Sequence, residues 1–76
     1  MEVRGSAHKH GITTEDIHHA LSLPLALVDQ GEGLTLILGP ARNGRMLELV
    51  VVDLDTDDAR VIHAMAMRPK FARYLP

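Results

Sequence analysis

Asn43-Gly44, set between two apolar runs, is the feature that most constrains this chain. Asn-Gly supplies the two positive-φ positions of a type I′ turn, so the flanking runs Leu34–Gly39 and Met46–Leu54 are expected to pair as an antiparallel hairpin. Arg42 and Arg45 flank the turn directly. Met46–Leu54 is apolar on both parities except for Glu48 and Asp53, the pattern of a central strand covered on both faces. Such a strand needs neighbours. Leu25–Asp29 supplies one, closed by Gln30-Gly31-Glu32-Gly33, whose glycines suit a hairpin turn. Ala59–Met67 supplies the other, after the acidic turn Asp55–Asp58. Alternation places Val61, His63, Met65 and Met67 on one face of that last strand, and Arg60, Ile62, Ala64 and Ala66 on the other.

Helical signals bracket the strands. Thr13 is placed to cap a helix over about Thr14–Ser22, with Glu15 and Asp16 in the first turn where the helix dipole favours acids. Ile12 and Ile17 are spaced as a hydrophobic staple, and Pro24 ends the element. Pro69 opens a final helical turn from which Phe71 and Leu75 can dock on the core. Lys70, Arg73 and Tyr74 form its outward stripe. The order is helix, four-stranded antiparallel meander and short C-terminal helical turn, which is α+β. Met1–His10 reads as a loose lead-in to a single domain spanning residues 1–76.

Size and charge narrow the function classes. A chain of 76 residues without cysteine has a thin core and no disulfide to brace it, so a partner or dimerisation is expected. The hydrophobic fraction of 46% argues against disorder. No apolar run approaches the ~18 residues of a membrane span, and the first residues are polar, so cytoplasmic residence is the default. The net charge of −2 means that any nucleic-acid site must be a local basic patch. No phosphate loop, dinucleotide-binding glycine pattern or Ser-His-Asp arrangement is present.

Several segments together resemble a known family. His8-Lys9-His10-Gly11-Ile12-Thr13-Thr14-Glu15-Asp16 resembles the Lys-His-Gly-Val-Ser-x-Glu-Glu segment that opens the helix of BrnT-like toxins, in the RelE/ParE superfamily. Gly39-Pro40-Ala41-Arg42-Asn43-Gly44-Arg45-Met46-Leu47 resembles their hairpin. Arg60-Val61-Ile62-His63-Ala64 and Arg68-Pro69-Lys70-Phe71-Ala72-Arg73-Tyr74 resemble their last strand and basic C-terminal helix. The resemblance implies the toxin of a type II toxin-antitoxin system. Such a toxin is a metal-independent endoribonuclease on a RelE-like fold, acting on mRNA and neutralised by a cognate antitoxin protein.

Cutting RNA without a metal requires a base for the 2′-hydroxyl, a cation for the crowded phosphorane and an acid for the departing 5′-oxygen. The candidates are Arg45, Arg68, Lys70 and Arg73 for the phosphate, with His63 and Tyr74 for proton transfer or base stacking. Strict alternation separates His63 from Arg68 unless Arg68 has left the sheet at Pro69. The structural alternatives are a half-buried sheet histidine, a solvated turn arginine and the wet side of a terminal helix. His8, His10, His18 and His19 raise the question of zinc, but His18 and His19 point about 100° apart on a helix. Asp53, Asp55 and Asp57 have the spacing of a calcium loop but lack its later glycine and glutamate, leaving a solvated turn. Beside the nuclease stands a second reading, in which a RelE-like fold without catalysis serves as a protein-binding or dimerisation module.

Overall fold

The computed structural model describes residues 1–76 as a sheet with one α-helix on one face. The strands are β1 (Glu2–Val3), β2 (Ala26–Gly31), β3 (Leu34–Pro40), β4 (Met46–Val52) and β5 (Arg60–Ala66). They lie in the order β1-β5-β4-β3-β2, with β1 parallel to β5 and every other pair antiparallel. The α+β class stands. The expected four-stranded antiparallel sheet is corrected to a five-stranded mixed one.

The fifth strand comes from the segment expected to be a loose lead-in. Glu2 and Val3 pair with Arg60 and Val61, and a 3-10 turn over Gly5–His8 then buries Ala7 completely. Ser6 Oγ donates to the Ile62 carbonyl at 2.7 Å, tying this turn to β5. Two residues of parallel pairing carry no alternation to read, which is why the sequence did not announce them.

Helix α1 (Thr14–Ser22) begins as expected, with Thr13 Oγ1 accepting the Asp16 amide at 3.2 Å. Its Ile17 and Ala20 are fully buried against Ile37, Leu47, Leu49, Val51, Val61 and Ala64. Thr13→Ala removes that cap and is expected to cost about 1 kcal/mol, read as a lowered urea midpoint with unchanged m. The helix sits so close to the sheet that a Cβ on Gly39 would run into the Ala20 carbonyl. Backbone on both sides cannot yield as a side-chain tip can. Gly39→Ala is therefore expected to destabilise by about 2 kcal/mol in chemical unfolding.

The turns depart from expectation in an instructive way. At Asn43-Gly44 only Gly44 has positive φ, and Ala41 accepts the Gly44 amide while its own amide reaches the Arg45 carbonyl. That is a three-residue turn ending in a left-handed glycine, not the expected type I′. The positive φ values at both central positions occur instead at Glu32-Gly33, between β2 and β3.

The meander sorts charge along the sheet. Its β2–β3 and β4–β5 turns share one end, where Glu32, Asp53, Asp55, Asp57 and Asp58 lie together with Asp29 near the close of β2. The Arg42–Arg45 hairpin and the chain leaving β5 share the other end, where the Met67 amide donates to the Met46 carbonyl at 2.9 Å. No helix is long and apolar enough to cross a membrane.

Candidate active site

The site grows from one residue out of place. Glu48 interrupts the apolar run of β4, and its side chain is 1% exposed. It lies on the sheet face away from α1, beside Leu36 and Leu38, which are also buried. A carboxylate so placed must be paired, because stripping water from an unpaired charge costs several kcal/mol.

Its partners come from two directions. His63 Nε2 donates to Glu48 Oε1 at 3.0 Å. Arg68 approaches as a fork, Nη2 donating to Oε1 at 2.7 Å and Nε reaching both oxygens at 3.1 Å, while its own backbone amide donates to Oε2 at 3.0 Å. Burial by itself pushes this carboxyl up. The hydrogen bonds from the Arg68 side chain and backbone and from His63, with the Arg68 charge, outweigh it and hold the pKa down at about 2. The same contact raises the Arg68 pKa above its usual value, chiefly through the hydrogen bond to Glu48.

Two local devices bring His63 and Arg68 together. The pairing register slips between Val50/His63 and Val51/Val61, so Ile62 is a bulge. The bulge corrects the expected face assignment: Val61 shares the core face with Ala64, while His63 faces the Glu48 side with Met65. Bulges of this kind commonly re-aim a side chain beside a functional site. Strand β5 then ends at Ala66, and extended backbone at Arg68 (φ −79, ψ 146) carries it off the sheet to Glu48. The condition for convergence set by the sequence is met.

A second imidazole completes the group. The rings of His10 and His63 lie 5.6 Å apart between centroids, edge to face at 77°. The 3-10 turn pinned to β5 delivers His10 there. Because a carboxylate only accepts, Nε2 of His63 carries the proton of that bond, and Nδ1 is left as its free nitrogen.

The other expected residues fall into two sets. Lys70 lies 5.1 Å over the Phe71 ring, which Arg68 also covers at 5.4 Å, so both cations border the same aromatic. Arg73 is engaged with Tyr74, stacking at 4.9 Å and donating to its hydroxyl at 3.0 Å, and neither makes a hydrogen bond to His63 or Glu48. Arg45 is exposed at the neighbouring hairpin. The terminal helical turn is a 3-10 segment, Pro69–Tyr74.

Charge pairing decides which cations remain available. Arg4, Arg42, Arg60 and Arg68 are ion-paired, with Glu2, Asp16, Asp53 and Glu48 respectively. Lys9, Arg45, Lys70 and Arg73 have no carboxylate partner among these ion pairs. All four lie beside His10, at the hairpin next to Met67, or just beyond Arg68. Arg68, expected as a cation for the phosphate, is engaged with Glu48 through Nε and Nη2, while its Nη1 makes no hydrogen bond and its side chain is 46% exposed.

The remaining histidines have structural duties or none. His8 Nδ1 lies 2.9 Å from the Ile12 carbonyl, and His19 Nδ1 lies 2.8 Å from that of Pro40. His18 is exposed on α1. No three His, Asp or Glu side chains gather as a metal-ligand set. The two surface depressions lie at the acidic end, one around Arg4, Asp57 and Arg60, the other around Leu27, Gly33 and Asp55. The histidine site is open surface rather than a cleft.

Sequence reasoning missed Glu48 and His10. A signal for Glu48 existed, since a lone carboxylate inside an apolar central strand implies a buried partner. For His10 the only signal was its place in the segment resembling Lys-His-Gly; its position beside His63 depends on the unforeseen β1 pairing. Comparison with protein-family models, with curated proteins and with solved structures gives no match.

Proposed function

We propose that this protein is a metal-independent endoribonuclease, the toxin of a type II toxin-antitoxin pair, working in the cytoplasm on mRNA. One observation carries the reading: buried Glu48 holds His63 and Arg68 together in one hydrogen-bonded cluster. A carboxylate behind an imidazole fixes its orientation and stabilises its protonated form, the arrangement of a working acid–base histidine. Lys9, Arg45, Lys70 and Arg73 supply attraction for the RNA backbone, and the outer edge of Arg68 supplies a donor to the phosphorane. Net charge is no obstacle, because six of the ten acids sit at the opposite end and Asp16 and Glu48 are each paired with an arginine.

The experiment is induction of the protein in growing cells, paired with incubation of purified protein and RNA under chelator. Arrested growth and RNA fragments ending in 2′,3′-cyclic phosphate are expected. Normal growth together with intact RNA at micromolar protein sinks the proposal.

A second reading, a protein-binding or dimerising module, is favoured by a separate surface. Leu27 on edge strand β2 is 55% exposed, and Leu23 and Leu25, in the link that leads into it, are 52% and 49% exposed. An uncovered apolar edge can accept a partner strand, whether from an antitoxin or a second copy. Leu27→Lys is expected to convert an associated form to monomer in sedimentation velocity without loss of helix or sheet signal. A wild-type protein that sediments as a monomer at high concentration removes the self-association half of this reading.

A further inference from the structure

We propose that His10 is the second proton-transfer group of the site, protonating the departing 5′-oxygen while His63 takes the 2′-hydroxyl proton; this rests on the nuclease reading above. The juxtaposition is built rather than incidental. Parallel pairing of β1 with β5 and the Ser6–Ile62 bond at 2.7 Å hold the 3-10 turn against the bulge that aims His63. The chain from that turn ends with His10 edge-on to His63.

The two imidazoles are not equivalent. His63 is held through Nε2 by a buried carboxylate and leaves Nδ1 without a hydrogen bond, a geometry that suits the base. His10 is exposed, makes no hydrogen bond to any carboxylate, and adjoins Lys9 in the chain. The groups facing the pair are therefore Glu48 from β4, Arg68 from the segment after β5, and Lys9 beside His10.

The step balances without any further reactant. O2′ forms its bond to phosphorus as its proton passes to His63 Nδ1. The P–O5′ bond breaks with its electron pair, and O5′ receives the proton of the His10 imidazolium. The products are a 2′,3′-cyclic phosphate and a 5′-hydroxyl, leaving His63 charged and His10 neutral until solvent resets them.

The test uses two versions of one oligoribonucleotide, the second carrying sulfur in place of the bridging 5′-oxygen at the step the wild type cuts. A thiolate leaves without being protonated, so it bypasses the acid but not the base. His10→Ala is expected to slow cleavage of the ordinary substrate about 10²-fold or more and to cut the sulfur version near the wild-type rate. His63→Ala is expected to be slow on both. His10→Asn, at the same exposed position, must repeat the His10→Ala pattern. Undiminished cleavage of ordinary RNA by His10→Ala overturns the inference while His63→Ala still upholds the nuclease. Equal slowing on both substrates also overturns it, since that marks a binding or positioning role. A wild type that cuts neither substrate overturns both.

Discussion

Glu48→Gln is expected to lower RNA cleavage about 10³-fold or more and to weaken the fold at the same time. The amide keeps the shape of the side chain but removes its charge and one acceptor. Its NH₂ then faces donors already aimed at it, from His63 Nε2 and from the Arg68 fork. Removing one member of a buried ion pair typically costs about 3–5 kcal/mol, and here the lower end applies because Arg68 is half exposed to water. The catalytic loss comes from a different source. Without the carboxylate, His63 loses its fixed orientation and tautomer, and a carboxylate-to-amide change of this kind elsewhere costs about 10⁴-fold.

A double variant separates the two effects. Glu48→Leu with Arg68→Met replaces the pair by apolar groups of similar size, a change that is often neutral or stabilising. It is expected to unfold in urea near the wild-type midpoint and to leave RNA intact. If that variant still cuts RNA, the Glu48 cluster is structural and the active site lies elsewhere.

What the sequence revealed, and what it concealed, follows from the range of the forces involved. The Thr13 cap, the helix to Ser22 and the strands around Asn43-Gly44 rest on local rules, and they stand where they were expected. The Asn43-Gly44 turn type differs because a three-residue turn spends only one positive φ, and Asn43 does not need its own. The face assignment of β5 failed at a single residue. Ile62 is apolar and carries no bulge signature, yet the extra residue moves His63 to the opposite side from Val61. His63 and Arg68 were therefore legible as residues but not as a group. The element that joins them, Glu48, reads in sequence as a blemish in an apolar strand and becomes a centre only once two distant segments arrive at it.

Acid should report this centre directly, through stability rather than activity. The Glu48 carboxyl ionises near pH 4.5 in the open chain and is held at about 2 in the fold. Between those values the unfolded chain binds the proton and the native one resists it, so stability falls as pH falls. The contribution is fully present above pH 4.5 and gone below pH 2, and the displacement corresponds to on the order of 3 kcal/mol. For a domain of this size that is a large share of the total. Asp16, held below the ordinary carboxyl range first by its hydrogen bond from Arg42, contributes in the same direction from a half-buried position. Urea unfolding at several pH values from 2 to 5.5, in an Asp16→Asn background, isolates the Glu48 share. The Glu48→Leu/Arg68→Met protein in that same background should show a nearly flat profile where the parent slopes. Parallel profiles would mean that Glu48 is no more acidic in the fold than in the open chain, and that the hydrogen bonds around it do not outweigh its burial.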